Sequence, residues 1–180
     1  MQKTHAEGLK EILTEIAKII LRMETNLSIT NQTAQNVPSL GERGEKLAAE
    51  YLEKSGFRLV VSNFKVPVGR NSKGVQVTGE IDIIALEGET LCFVEVKTRR
   101  SDDFAPIITA VDLRKQRQIT RTAKVYRRIF GVTSIEYRFD VVTVLMPKFA
   151  EPEIKLSRSY WTAAKFRKRR WNHHTWNEFT

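Results

Sequence analysis

The segment GEIDIIALEGETLCFVEVKT, residues 79–98, constrains the fold more than any other part of the chain. Gly88-Glu89 between two apolar runs signals a two-residue type II′ hairpin, with glycine at the first central position. Counting outward, Glu87 pairs with Thr90, Leu86 with Leu91, Ile84 with Phe93, Asp82 with Glu95 and Glu80 with Lys97. From Leu86 and Leu91 outward these residues share one face because strand side chains alternate with period two. The other face carries Ile81, Ile83, Ala85, Cys92, Val94 and Val96. Two apolar faces near the turn describe a central pair of strands covered on both sides.

The charges gather at the far end of this hairpin. Directly opposed residues have Cβ atoms roughly 5 Å apart, and like charges there repel. Asp82 opposite Glu95 is therefore unfavourable unless a cation lies between them, a role open to a divalent metal or to Lys97. Hard cations such as Mg²⁺ take carboxylate oxygens and keep several waters. A structural ion-pair cluster of Glu80, Lys97, Asp82, Glu95 and an arginine fits the same spacing. A three-residue loop, a bulge or a one-residue slip would change the register.

The hairpin sits within a longer pattern. Leu9, Ile12, Leu13, Ile16, Ile19 and Met23 recur at helical spacing, which predicts an amphipathic helix over 7–23. Such a stripe packs on its own domain or on a second copy, so a homodimer is left open. A linker without periodicity follows. Ser39 and Glu42 form a capping box for a helix that Gly56 ends. FRLVVSNFKVPV reads as a strand and GRNSKG as a turn. A helix from about Ala110 to Phe130 and the strand IEYRFDVVTVL come next, and the chain after Pro147 reads as irregular. The expected division is 1–37 (helix and linker), 38–150 (core domain) and 151–180 (a basic, aromatic tail).

Lys and Arg total 30 against 21 acids, a net charge of +9. That excess points to a polyanion, nucleic acid before an anionic membrane. The single cysteine, Cys92, excludes an internal disulfide and a cysteine-rich zinc site. A reducing cytoplasm is the expected compartment. No apolar run reaches membrane-spanning length, and acids inside the first apolar stretch make it a poor targeting peptide.

Glu45, then GEID at 79–82, then FVEVKTR at 93–99, resembles the E…D…ExK order of PD-(D/E)XK nucleases. More narrowly, six blocks in order resemble the YraN-type endonuclease family, itself similar to archaeal Holliday-junction resolvases. They are GERGEKLAAEYLEKSGF, VSNF, GEIDIIAL, FVEVKTRR, the helix around LRKQRQITRTA, and RFDVVTV. The resemblance spans residues 38–146. It implies an α/β fold, a restriction-endonuclease-like αβββαβ core with a mixed central sheet flanked by helices. It further implies Mg²⁺ or Mn²⁺ held at Asp82, Glu95 and Val96. Lys97 would orient or activate the attacking water, and Glu45 would face the metal from the first helix. Glu45 fits that position better than Glu42 because it completes Gly41-x-x-Gly44-Glu45 and lies beside Ala48 and Leu52. The segment 64–78 is longer than the resemblance leads one to expect, and reads as a surface insertion or a hairpin extension, the former preferred.

Arg114, Arg117, Arg121, Lys124 and Arg128 step by 3, 4, 3 and 4 along the second helix, with no acid between them. The opposite face carries Leu113, Ile119, Ala123, Tyr126 and Phe130. Like charges so spaced repel by roughly 0.2–0.5 kcal/mol per pair, and a phosphate backbone turns that repulsion into attraction. A solvated face with acids supplied from elsewhere in the fold is the bland alternative. Arg99 and Lys115 join the stripe as expected nucleic-acid contacts. The tail interleaves Tyr160, Trp161, Phe166, Trp171 and Trp176 with Lys and Arg, a composition suited to unpaired bases. Its near part, to Phe166, is expected to complete the core. His173 and His174 receive no role. The expected function is metal-dependent hydrolysis of phosphodiester bonds in DNA, by similarity including branched recombination or repair intermediates. The rival is a non-catalytic nucleic-acid-binding module using helix 110–130 and the tail.

Overall fold

The computed structural model describes residues 37–100 and 111–166. The helix expected at 7–23, its linker, and the tail beyond Phe166 lie outside the described residues. The chain first forms α1 (Leu40–Lys54), then three consecutive strands, β1 (Arg58–Arg70), β2 (Gln76–Glu87) and β3 (Thr90–Arg99). Helix α2 (Leu113–Ile129) crosses over to β4 (Tyr137–Leu145), and β5 (Glu153–Trp161) follows. The five strands form one sheet in sequence order. Neighbours are antiparallel except β3 and β4, which run parallel as a helical crossover demands. The mixed sheet flanked by helices is the α/β architecture expected, with one strand more. The chain after Pro147 is not irregular: β5 pairs antiparallel with β4 as an edge strand.

Ser39 caps α1 as its sequence predicts. Its hydroxyl accepts from Glu42 N at 3.2 Å, and the Glu42 carboxylate accepts from Ser39 N at 2.7 Å. Ala48 and Leu52 of α1 cover one sheet face, with Ile83, Ala85, Cys92, Val94, Val142 and Val144. Ile119, Ala123 and Tyr126 of α2 cover the other, with Ile84, Leu86, Leu91, Phe93 and Phe139. Ile81 packs in this second layer, beside Ile84 and not with Ile83, so alternation breaks at Asp82. On α2 itself, Leu113 is 54% exposed while Gln116 and Thr122 are buried. Helix packing thus begins one turn later than the apolar pattern suggests. Trp161 is buried, stacks on Phe139 at 4.8 Å and donates to Thr120 Oγ1 at 3.0 Å. Phe166 packs half-buried on the same cluster. The near tail completes the core, as expected.

The segment 64–78 extends the β1–β2 hairpin. Pro67 is tolerated there because β1 is an edge strand. The arm rests on α2. Gln118 Nε2 donates to Thr78 O at 3.0 Å, and a Cβ on Gly79 would fall 2.0 Å from Thr122 Oγ1.

Gly44 sets the approach of α1 to the sheet. A Cβ there would lie 1.8 Å from Thr98 Oγ1 and 2.7 Å from Thr98 Cγ2. Gly44→Ala is therefore expected to destabilise the fold by about 1–3 kcal/mol through overpacking, against any gain in helix propensity. Gly41→Ala, whose nearest neighbour is Ser39 Oγ at 3.8 Å, should not. Denaturant melts of the two variants check this; equal midpoints would show that α1 does not sit this close to β3.

Candidate active site

The β2–β3 ladder holds in the expected register from Glu87↔Thr90 through Leu86↔Leu91 to Ile84↔Phe93, and ends at Ile83↔Val94. Gly88 has φ +59° and Glu89 is not in the left-handed region, consistent with the type II′ turn. Beyond Ile83 the strands part. β2 stays paired with β1, through Ile81↔Phe64 and Glu80↔Lys65, while β3 continues along β4 to Arg99↔Leu145. The expected pairs Asp82–Glu95 and Glu80–Lys97 therefore do not form as ladder partners. Glu80 is bound instead to Lys65, 3.2 Å away.

Asp82 and Glu95 face the gap that this parting opens. Asp82 Oδ2 accepts from Val96 N at 2.7 Å, so a carboxylate takes the place of a ladder carbonyl. Glu95 is 1% exposed. Its Oε1 is 2.7 Å from Lys97 Nζ and its Oε2 is 3.2 Å from Lys115 Nζ. Oε2 has no well-aligned hydrogen bond despite complete burial. Burial first, then repulsion from Glu95, pushes the Asp82 carboxyl up to about 6, against the Val96 N–H and the two lysines. Burial pulls the Lys115 ammonium down, but Glu95 and Asp82 outweigh it and its pKa is raised.

Glu45 reaches the same region from α1. It is half-buried. Burial, then the Asp82 charge, raises its carboxyl, while a hydrogen bond with the Asn63 side chain lowers it. Glu42, by contrast, is exposed and spent on the helix cap.

The exposed stripe of α2 is as the sequence spacing predicts: Arg114, Arg117, Arg121, Lys124 and Arg128 all face solvent. Lys115 departs from its expected place. It leaves the stripe and enters the acidic gap, because it heads the buried row continued by Ile119, Thr122 and Tyr126. That i, i+4, i+7 spacing was the signal for it. Asn63 was also missed. It sits in β1 with φ +54°, a conformation asparagine tolerates better than most residues. Arg99 is half-buried at the end of β3.

The donor set suits a small hard cation. Two carboxylates converge, and one Glu95 oxygen keeps unused lone pairs. Val96 has no donor side chain; Asp82 occupies its N–H, so only its carbonyl could ligate. Among the described residues no group of three His, Cys, Asp or Glu side chains is placed to hold a metal. A cation here would find two carboxylates and one backbone carbonyl among the described residues, with its other positions filled by water.

The profile of the uncharacterised protein family UPF0102 matches residues 44–144, from the glycine before Glu45 to the end of β4. The chain belongs to this family. It is the YraN-type group to which the six blocks pointed. A UPF0102 protein of Alkaliphilus metalliredigens is 41% identical over 110 residues, covering 61% of this chain and 88% of that one. One from Geobacter sulfurreducens is 43% identical over 110 residues, covering 60% and 78%. One from Renibacterium salmoninarum is 38% identical over 116 residues, covering 64% and 90%. Glu45, Asp82, Glu95, Lys97 and Lys115 all fall inside the UPF0102 match. No helix among the described residues is long and apolar enough to cross a membrane.

Proposed function

We propose that this UPF0102 protein is a metal-dependent nuclease that hydrolyses phosphodiester bonds in DNA, using Mg²⁺ or Mn²⁺, in a reducing cytoplasm. One observation carries the reading. Two buried carboxylates and two lysines meet where β2 and β3 part, beside a helix whose outer face is uninterrupted positive charge. A purely structural cluster has no reason to lie next to such a surface.

The residues divide the work. Asp82 and Glu95 hold the cation, with the Val96 carbonyl the third available donor. Metal bound there supplies Lewis acidity to the scissile phosphate. Lys97, 33% exposed at its side chain, can move from Glu95 Oε1 toward substrate and stabilise the negative charge that develops there. Lys115 keeps Glu95 partnered as Lys97 leaves. Glu45, whose carboxyl is raised by burial and by the Asp82 charge, reaches the gap from α1. Arg114, Arg117, Arg121, Lys124 and Arg128 fix the phosphate backbone without reading sequence.

Cleavage assays on linear, nicked, flapped and four-way DNA, with and without Mg²⁺ or Mn²⁺, test the proposal. Metal-dependent cleavage of at least one substrate, lost in Glu95→Gln, is the expected result. A second reading has its own support: both Glu95 oxygens already face lysines, so the cluster is charge-balanced without metal. A non-catalytic nucleic-acid-binding module would bind these DNAs and cut none, with any metal.

A further inference from the structure

Beside the stripe, α2 and the turn Ala163–Phe166 enclose a groove of about 750 Å³. It lies in the size range of pockets that hold a small ligand. Arg117, Arg121, Lys124 and Arg127 line it, together with Tyr137 and Phe166. No acidic side chain lines it. Among the described residues, none of Arg117, Arg121 and Lys124 is ion-paired. Each aromatic ring carries one of the protein's own cations, and Tyr137 is also fixed edge-on against Phe93 and Phe139. The Arg117 guanidinium lies 5.5 Å from the Phe166 ring centre, and that of Arg127 lies 3.9 Å from Tyr137.

We propose that this groove binds an unpaired stretch of nucleic acid, one base stacking on Phe166 while Arg117, Arg121 and Lys124 hold the flanking phosphates. Charge decides against the chain's own continuation as occupant, because Arg167, Lys168, Arg169 and Arg170 follow directly and carry the same sign as the groove. A duplex keeps its bases stacked inside and offers only phosphates to the exposed stripe. An unpaired strand offers both phosphates and π faces, which is what a basic groove with an aromatic wall recognises. Arg117 to Lys124 spans about 10 Å along the helix axis, room for two or three nucleotides. Lys115, which touches Glu95, precedes Arg117 by about 3 Å of helix rise. At 3.6 residues per turn the two side chains point to opposite sides of α2, so the groove and the acidic gap lie near one end of the helix on different faces. As a substrate element the groove rests on the nuclease reading, but its binding is measurable without turnover.

The test uses the full chain in EDTA and fluorescence anisotropy. The probes are a short oligo-dT, an oligo-U, a duplex and an abasic phosphodiester backbone, all of one length. The oligo-dT is expected to bind more tightly than the abasic backbone. Phe166→Leu, which keeps the packing and loses the stacking face, should weaken oligo-dT binding about tenfold and leave the duplex within about twofold. Phe166→Trp should restore it. Arg121→Glu with Lys124→Glu should flatten the oligo-dT salt slope by roughly 0.7 for each phosphate that is no longer neutralised. Tighter binding of oligo-U than oligo-dT would keep the groove and make RNA its source. Equal binding of oligo-dT and the abasic backbone, or an unchanged oligo-dT affinity in Phe166→Leu, overturns the proposal. A protein that cuts nothing yet shows the Phe166 dependence keeps the groove and removes the nuclease.

Discussion

Asp82→Asn is expected to abolish cleavage and, above pH 6, to make the fold more stable than the natural protein. The Asp82 carboxyl rises from 3.8 to about 6, through burial and the neighbouring Glu95 charge. Its folded pKa is thus above its unfolded one. Between about pH 4 and pH 6 the folded state holds the extra proton, so stability falls as pH rises through that window. Above it the cost persists, on the order of 3 kcal/mol from a shift of about two pH units. Asparagine has no charge to bury, yet its carbonyl can still accept from Val96 N, now bound by Asp82 Oδ2 at 2.7 Å. The variant should therefore lack the decline that the natural chain shows between about pH 4 and pH 6. Mg²⁺ supplies the complementary measurement. A ligand of the folded state stabilises by RT ln(1 + [L]/Kd), so Mg²⁺ should raise the melting temperature of the natural chain at pH 8, less at pH 5, and not that of Asp82→Asn. Loss of the metal site should lower turnover by at least about 100-fold. An equal Mg²⁺ response in both proteins would remove Asp82 from the metal. A flat pH profile in the natural chain would show that its carboxyl ionises freely.

The hairpin was legible close to its turn, because period-two alternation and a Gly-first turn leave one register. It was not legible past Ile83, where tertiary competition decides. β3 finds its partner in β4, a strand more than thirty residues later in the sequence, and β2 keeps β1. The Asp82 carboxylate then takes the Val96 N–H that a continuing ladder would have used. No local pattern records that exchange. The consequence is chemical: a flat ladder would have pressed Asp82 and Glu95 together, whereas the parting gives them a cleft. β5 escaped notice for the opposite reason. Edge strands carry charge as protection against further pairing, and Lys155, Arg158 and two serines in EIKLSRSYW obscure its alternation. The capping box, the solvent-facing stripe and the core role of Trp161 depend on short-range spacing or bulk, and these the chain displays openly. Lys115 lies between the two cases. Its charge suggested the stripe, but helical phase places it on the buried row.

That placement sharpens what is expected of the two lysines. Glu95 is 1% exposed and faces Lys97 on one oxygen and Lys115 on the other, at 2.7 and 3.2 Å. Either lysine alone leaves Glu95 neutralised, so Lys97→Ala and Lys115→Ala should each fold. Removing both strands a buried carboxylate beside Asp82, at about 3–5 kcal/mol, and the double variant should melt far below the sum of the singles. Turnover should not follow this symmetry. The two lysines are about equally exposed, at 33% and 30%, but Lys97 is the one that stands in the ExK order after Glu95, and a charge that acts chiefly in the transition state lowers kcat when lost. Lys97→Ala should thus lose most activity while folded, by about 100-fold or more. Lys97→Arg should lose nearly as much, since a planar fork replaces a compact ammonium that can give up its proton. Lys115 is held charged by Glu95 and Asp82, and its task is neutralisation, so Lys115→Arg should retain most turnover. Glu80→Ala should be silent in the assay, because its partner is Lys65. Full turnover in a folded Lys97→Ala protein would end the catalytic assignment and shift the weight to a binding module that uses this cluster only to hold β2 and β3 apart.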